Sequence, residues 1–258
     1  MRSRQLAVSA IAILPILIAN APLADRSDQP PSEPAVQDQT DPELERFLAE
    51  FDAKRKSFED YRATFRQQKY NRLFDEFSEP ATGVLSYKRP GRALWDYRTP
   101  DKMTVLLRDQ RVHMYIADLE QMEIYDFRDR RSARALFLGF DQTPDELRES
   151  YRITLFDPKE NLPKTYGVQL EPRSEEMARY FTRVKLWLRA TDFAAVRVLI
   201  EGPEVGNVTA IEFTDIHVNT GIPDSTFDLN LPPGTTIVEH SADELQPTFP
   251  RDNVSGQQ

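Results

Sequence analysis

The sequence predicts a mainly antiparallel β fold, a sandwich or a barrel, that carries a short helical insert. About eleven strand-like runs follow one another at spacings of roughly 8–12 residues, which is typical of such folds. The alternation of apolar and polar residues is cleanest around Val184, Leu186 and Leu188. Between Arg130 and Tyr151 the apolar residues recur at helical spacing instead, which indicates one or two short helices.

Composition sets the class of protein. The chain has 258 residues, of which 40% are hydrophobic, so it can form one large domain or two small ones. Its net charge of −9 argues against a nucleic-acid binder, whose affinity depends on clustered Lys and Arg. The chain contains no cysteine, which excludes disulfides, thiolate metal sites, thiol nucleophiles and an acylated cysteine.

The first 41 residues have the composition of a leader and a spacer. Residues 1–24 combine two arginines, the apolar run Leu6–Ile18 and several small residues, as a secretory signal peptide does. An uncleaved inner-membrane anchor is the alternative, although Pro15 interrupts a run that is short for a span. Residues 25–41 are rich in proline and polar residues, so we expect a disordered spacer.

A folded domain is expected over residues 42–240, followed by a polar C-terminal tail at 241–258. Asp41 can cap a helix that starts at Pro42 and ends near Arg55. The apolar phase then changes to two, which predicts a strand over residues 61–69. Further strands are expected at 83–88, 93–98, 103–108, 112–117, 120–127, 152–156, 166–170, 181–189, 195–201 and 207–217, with helices at 130–140 and 144–151. Strands this close in sequence should pair as antiparallel meanders.

Motifs for catalysis are missing from the sequence. His113, His217 and His240 have no second ligand type at metal-binding spacing, so no metal site is expected. There is no Gly-x-Ser-x-Gly elbow and no glycine-rich phosphate loop, so we expect neither an enzyme nor a cofactor. Carboxylate pairs such as Asp126 and Asp129 are expected by chance in an acidic chain, and a hydrolase with dispersed carboxylates is the remaining enzymatic alternative.

The chain has a large supply of apolar side chains for a β protein of this size. They can simply fill a core, as most apolar stripes do. They can equally line a cavity for an apolar ligand under the inserted helices, since barrels and half-barrels often enclose such cavities. The pattern of residues leaves both interpretations open.

A family resemblance begins in the stretch GVLSYKRPGRALWDYRTP, where a glycine-led strand, an Arg-Pro-Gly turn and a Trp-x-Tyr-x-x-Pro strand follow one another. Two later stretches continue the pattern in the same order. The matching residues are Gly83, Arg89, Pro90, Gly91, Trp95, Tyr97, Pro100, Asp109, Tyr115, Gln121, Thr209, Phe213, Asn219, Phe227, Pro232, Pro233 and Gly234. On these residues the chain resembles the LolA family, the periplasmic carriers of outer-membrane lipoproteins in diderm bacteria.

The resemblance implies an incomplete antiparallel β-barrel of about eleven strands, with helices as a lid over a hydrophobic cavity that receives acyl chains. It also implies a monomer that takes lipoproteins from an inner-membrane release complex to an outer-membrane acceptor. In the family, the arginine of the Arg-Pro-Gly turn bonds to the lid and holds the empty carrier closed. The matching residue is Arg89.

The residues expected to line the cavity lie on the predicted strands and on the lid. They are Leu85, Tyr87, Trp95, Tyr97, Leu106, Met114 and Met122 on the strands, and Leu136, Phe137 and Phe140 on the lid. The chain departs from the family pattern at Ala93, where many members have Phe, and at Gln110, where the turn usually has Gly. A carrier or sensor of another lipid on the same fold, including one tethered to the membrane, is the functional alternative.

Overall fold

A single sheet of thirteen strands forms the body of the protein in the computed structural model, which describes residues 41–127, 141–158, 164–204 and 206–241. The strands are β1 (Asp60–Asn71), β2 (Glu76–Phe77), β3 (Ala81–Lys88), β4 (Arg92–Thr99), β5 (Met103–Arg108), β6 (Arg111–Ile116), β7 (Gln121–Asp126), β8 (Tyr151–Phe156), β9 (Thr165–Pro172), β10 (Arg183–Arg189), β11 (Ala195–Glu201), β12 (Val208–Val218) and β13 (Thr236–Ser241). The helices are α1 (Pro42–Arg55), α2 (Pro144–Ser150) and α3 (Glu175–Ala178).

The strand order is β13-β7-β6-β5-β4-β3-β1-β12-β11-β10-β9-β8, with β2 attached to β1. Neighbours in this order are antiparallel, as the meander prediction required, except that β13 lies parallel to β7. The sheet is open, with β13 at one edge and β8 at the other. An open, strongly β structure of this kind confirms the expected incomplete barrel.

Helix α1 begins and ends at the predicted residues because its signals are local. The Asp41 side chain accepts a hydrogen bond from the backbone N–H of Glu43 (2.9 Å), and Pro42 occupies the first turn. Acidic residues lie in its first turn, and Lys54 and Arg55 lie in its last, which suits the helix dipole.

Helix α2 begins with a capping box. The Thr143 hydroxyl accepts from the N–H of Glu146, and the Glu146 carboxylate accepts from the N–H of Thr143. The helix ends at Ser150, one residue earlier than expected, because Tyr151 already belongs to β8. The predicted helix at 130–140, the signal peptide, residues 25–40 of the spacer and the tail beyond residue 241 lie outside the described residues.

The two faces of the sheet carry separate apolar clusters. On the inner face, Tyr61, Ala63 and Phe65 of β1 join a large cluster that also includes Phe47 and Leu48 of α1. We call this the inner face because α1 and α2 contribute to the same cluster. The opposite, outer face carries a small cluster of Leu106, Ile222 and Phe227.

The C-terminal strand is not among the strands expected from the sequence, where residues 236–238 form only a short apolar patch. In the structure it is the six-residue strand β13, and it pairs with β7 in parallel register, from Thr236 with Gln121 to Ser241 with Asp126. The other elements without a sequence prediction are short. They are β2, α3 and the 3₁₀ turns Ala117–Leu119 and Asp224–Phe227.

Candidate functional site

Arg89 lies in the turn between β3 and β4. Its backbone N–H donates to the carbonyl of Glu59 (2.9 Å), which holds the turn against the start of β1. Gly91 has a φ of 56°, in the left-handed region that glycine adopts without strain, so the Arg-Pro-Gly sequence suits this turn. The turn brings the arginine side chain close to the C-terminal end of α1.

The Arg89 guanidinium bonds to two separate segments. Its Nη1 donates to the carbonyl of Arg55, the last residue of α1 (2.6 Å), and to the carbonyl of Phe58 (3.3 Å). Its Nε donates to Oδ1 of Asp141 (3.2 Å), and Oδ2 of the same carboxylate accepts from the N–H of Gly91 (2.9 Å). Carbonyls at a helix end lack partners within the helix, and a guanidinium presents several donors to fill that need.

Asp141 links this turn to the start of α2. It lies two residues before Thr143, the N-cap of α2, and directly after residues 128–140. Both side chains of the Arg89–Asp141 pair are about a quarter exposed, at 25% and 27%. Burial and the nearby Asp141 carboxylate raise the pKa of the Tyr87 hydroxyl, so Tyr87 stays neutral. One arginine therefore connects the β3–β4 turn, the end of α1 and the chain leading into α2.

An aromatic group covers the middle of the inner face. The Phe65 ring packs edge-on against Trp95 and Tyr97, with ring centroids 5.0 and 4.7 Å apart. Gly83 lies under this group, because a Cβ at Gly83 would come within 2.7 Å of the Phe65 ring and 2.1 Å of the carbonyl of Asp96. Gly83, the third residue of β3, therefore makes room for the aromatic group.

Beside these rings, the inner face contains a buried polar pair. The Tyr97 hydroxyl donates to Oε1 of Gln67 (2.8 Å), and both side chains are almost fully buried. Burial raises the pKa of Tyr97 well above its ordinary value, so the hydroxyl remains a donor. The pair satisfies two polar groups that would otherwise be costly in an apolar face.

The structure brings together five of the residues proposed for the cavity. Leu85, Tyr87 and Tyr97 belong to the inner cluster, and Trp95 and Met114 pack against it. Two other proposed residues, Leu106 and Met122, do not lie on the inner face. Leu106 lies in the outer cluster with Ile222 and Phe227. Met122 pairs with Tyr115, one position from the inner Met114, and therefore faces the outer side. Leu136, Phe137 and Phe140 lie outside the described residues.

Several residues of the inner face and of the Arg89 contacts were missed at the sequence level. They are Asp141, Phe65, Gln67 and Phe213, of which Phe213 was noted only as part of the family pattern. The alternation of β1 gives a signal for Phe65. Nothing local marks Asp141, because its role comes from a partner 52 positions away in sequence.

A pocket of about 310 Å³ lies on the outer face between the sheet and residues 226–231. Its lining is mixed, with Arg62, Ser86, Asp96 and Tyr115 beside Leu94. It is separated by the sheet from the aromatic group. Charged side chains of both signs at its wall make it a poor match for an acyl chain.

The described part of the chain shows neither a metal cluster nor a membrane-spanning helix. Its His, Asp and Glu side chains form no group of three or more that could hold a metal ion. Within the same residues, no helix has the length and apolar character needed to cross a membrane. The chemistry visible at the Arg89 turn and on the inner face is that of hydrogen bonding and apolar burial.

Comparison with known proteins identifies the family. The model for "Outer membrane lipoprotein carrier protein LolA" matches residues 56–230. The outer-membrane lipoprotein carrier protein of Pseudomonas paraeruginosa is 28% identical over 161 residues, which is 62% of this chain and 73% of the relative. That of Hahella chejuensis is 24% identical over 186 residues, which is 72% of this chain and 85% of the relative.

A solved structure of an uncharacterized conserved protein from Thermus thermophilus has a similar fold. It has a TM-score of 0.50 at 11% identity and covers 76% of this chain and 99% of its own. At that identity the likeness concerns the fold alone. The family match covers more than half of the chain and confirms the resemblance that the motifs indicated. The chain therefore belongs to the LolA family of outer-membrane lipoprotein carrier proteins.

Proposed function

We propose that this protein binds the acyl chains of lipoproteins against the inner face of its sheet and carries them through the periplasm towards the outer membrane. It receives them from an inner-membrane release complex, delivers them to an outer-membrane acceptor and works as a monomer. The Arg89 contacts hold the empty carrier closed.

Family membership supports the general role. The family consists of periplasmic lipoprotein carriers and not of enzymes, and two relatives of this chain bear the carrier name. The inner face supplies the apolar surface that such a role requires. Each methylene removed from water contributes about 0.8 kcal/mol, so covering even part of an acyl chain stabilises a complex substantially.

The single observation that carries the proposal is the position of Arg89. It bonds to the end of α1 and to Asp141 before α2, while the next strand, β4, contributes Trp95 and Tyr97 to the inner face. Separating α1 or α2 from the β3–β4 turn requires these bonds to break. They can be replaced by water at modest cost, because the pair is a quarter exposed. A closure that is stable yet easily released is what a carrier needs.

The cavity in this proposal is lined by Leu85, Tyr87, Trp95, Tyr97 and Met114, which share the inner face. The proposal keeps Leu136, Phe137 and Phe140 as its lid. Leu106 and Met122 are left out because they face the outer side. The rings around Phe65 fill part of the inner face, so entry of an acyl chain requires α1 or α2 to move away from the sheet.

Arg89→Leu tests the proposal. Removing the Arg89 contacts favours the open form. A fluorescent palmitoylated peptide should therefore bind more tightly and dissociate about 10- to 100-fold more slowly. Binding and release are measured in vesicle-free solution by fluorescence anisotropy. Circular dichroism should show an unchanged fold. Asp141→Asn should change release in the same direction, because it removes the charge that Arg89 contacts.

Arg98→Leu is the matched control. Arg98 lies on the same hairpin, at the far end of β4, and is 60% exposed. Its side-chain ion pair among the described residues is with Asp96. It should release the peptide at the wild-type rate. Equal release rates for Arg89→Leu and the wild type would contradict the proposal that the Arg89 contacts hold the carrier closed.

A second candidate, a carrier of free anionic lipids, is favoured by Lys69. This side chain lies on the inner face two residues beyond Gln67, and its ammonium has no carboxylate partner among the described residues. Burial lowers its pKa to about 8. At neutral pH it is still a cation beside an apolar surface, which suits the head group of an amphiphile.

Mass spectrometry of the protein purified without detergent separates the two candidates. The lipoprotein carrier should retain acylated peptides, whereas the alternative should retain free acidic lipids. Recovery of free lipid without any acylated peptide would replace the first proposal by the second.

A further inference from the structure

The described residues include five large hydrophobic side chains that are exposed to solvent. They are Leu73 (84% exposed), Phe74 (58%), Phe77 (63%), Leu119 (44%) and Ile237 (58%). Single exposed apolar side chains are common on protein surfaces, but grouped ones often mark an interaction site. Their position in the sheet decides which case applies.

All five lie on one rim of the sheet, which we call the apolar rim. Leu73, Phe74 and Phe77 belong to the connection from the end of β1 to the start of β3. Leu119 lies in the turn between the end of β6 and the start of β7, and Ile237 is the second residue of β13. The pairing of Thr82 with Thr99, Met103 with Ile116 and Thr236 with Gln121 places these strand ends on the same side.

The Arg89 turn lies on the opposite rim. It joins the end of β3 to the start of β4, where Lys88 pairs with Arg92. If the apolar rim contacts another surface, the Arg89 turn stays outside that contact, so its bonds remain free to break and form.

The connection after β1 forms an exposed tip, which is held by its own hydrogen bonds. The Tyr70 hydroxyl donates to Asp75 (2.6 Å), and the N–H of Leu73 donates to the side chain of Asn71 (2.9 Å). Phe77 pairs with Tyr70 across β1 and β2, with ring centroids 4.9 Å apart. These bonds fix the turn while Leu73 and Phe74 remain outside it. The tip thus presents large apolar side chains to solvent.

The apolar rim is wide. Five strand spacings separate β1 from β7, which is about 24 Å measured along the sheet at 4.8 Å per spacing. Ile237 extends it to β13, whose first residue, Thr236, donates its N–H to the carbonyl of Glu120 (2.9 Å). Exposed apolar groups spread over such a width fit a soft, extended surface better than a narrow groove.

The charge of the rim excludes electrostatic attraction to anionic lipids. Its three connections, residues 71–80, 99–102 and 117–120, contain six acidic and two basic side chains. Anionic lipids attract basic segments, so they provide no driving force here. Any membrane contact must come from the apolar side chains.

From the common rim, the exposed tip, the width and the charge, we propose that the apolar rim docks reversibly on the surface of a lipid bilayer, with Leu73 and Phe74 entering the interface. Docking does not depend on which cargo the inner face carries. It orients the sheet with the Arg89 turn away from the membrane.

Flotation of the full chain with phosphatidylcholine vesicles is the first test. Leu73→Ser combined with Phe74→Ser should lower the partition coefficient by about tenfold or more, since two large apolar groups are lost. Glu79→Ser, an exposed polar change in the same connection, is the control and should bind as the wild type does. High salt should not weaken binding. Equal flotation of the double variant and the control, together with an unshifted fluorophore at position 74 in the second test, would overturn the proposal.

The second test reports on the tip directly, because the apolar run Leu6–Ile18 can itself hold the full chain on vesicles. The chain has no cysteine, so Phe74→Cys carries a single environment-sensitive fluorophore. With vesicles its emission should shift to the blue and be quenched by brominated lipid. Thr191→Cys, exposed on the opposite rim between β10 and β11, should show neither effect. No shift at position 74, or equal shifts at both positions, would overturn the proposal.

The two proposals can fail separately. The double variant should load the palmitoylated peptide normally in vesicle-free solution. Binding that appears only with phosphatidylglycerol vesicles and disappears in salt would show attraction by charge and would contradict docking by the rim.

Discussion

Lys69 is an ionised side chain on a largely apolar face, and it places a cost on the folded state. Burial disfavours the ammonium and lowers its pKa from 10.5 to about 8. Between these two values the unfolded chain binds more protons than the folded one, so the free energy of unfolding rises with pH across this window. Below pH 8 the whole cost is present.

Lys69→Met should therefore stabilise the protein. The free energy of unfolding at pH 7 should increase by about 1–3 kcal/mol, and the gain should shrink as the pH approaches 10.5. Denaturant titrations of the wild type and Lys69→Met at pH 7 and near pH 10.5 measure this difference in the free energy of unfolding. Lys102→Met, which changes an exposed lysine, should alter stability by less than about 0.5 kcal/mol. A loss of stability in Lys69→Met at pH 7 would show that a bonding partner holds the ammonium.

Single residues were predictable from the sequence where a motif marks them. The family motif led to Arg89, whereas its bonds to the carbonyls of Arg55 and Phe58 are seen only in the structure. Leu106 could not be placed, because Val105, Leu106 and Leu107 are all apolar and all buried, so β5 has no polar phase to separate its faces. Asp141 could not be foreseen, since only tertiary structure brings it to Arg89.

At the scale of elements, local signals decided which bounds were predicted correctly. Helix α1 has a cap, a proline in its first turn and a basic last turn, and β5 and β11 are framed by turn-forming residues. Strand β13 contains only one apolar pair, Ile237 and Val238, so its sequence predicts no full strand. Its six residues are ordered by parallel pairing with β7, which no local pattern reveals.

For the whole molecule, the meanders follow from short connections, whereas the joining of the two halves does not. Strands β3–β7 form one run and β8–β12 another, and β1 joins them by pairing with both β3 and β12. The pair of Tyr61 with Val218 spans most of the folded chain. The open-barrel architecture was therefore obtained from the family resemblance and not from periodicity.

The shared inner cluster predicts that both halves unfold together. The chain has two tryptophans, Trp95 in β4 and Trp187 in β10, one in each half. Trp95→Phe leaves Trp187 as the only reporter, and Trp187→Phe leaves Trp95. Each variant's fluorescence transition in denaturant should coincide with its own circular dichroism transition. A tryptophan transition that precedes the loss of strand signal would show that the halves unfold independently.

The pairing of β1 with β12 also has a consequence for the order of folding in time. When the chain emerges with its N-terminus first, β1 can pair with β3 early. The other edge of β1 stays unpaired until residues 208–218 of β12 have emerged. Until then β1 presents unpaired backbone groups to any other strand nearby, which is a recognised route to aggregation. Contacts of such long sequence separation also slow folding. The protein should therefore need protection by a chaperone until its twelfth strand has emerged.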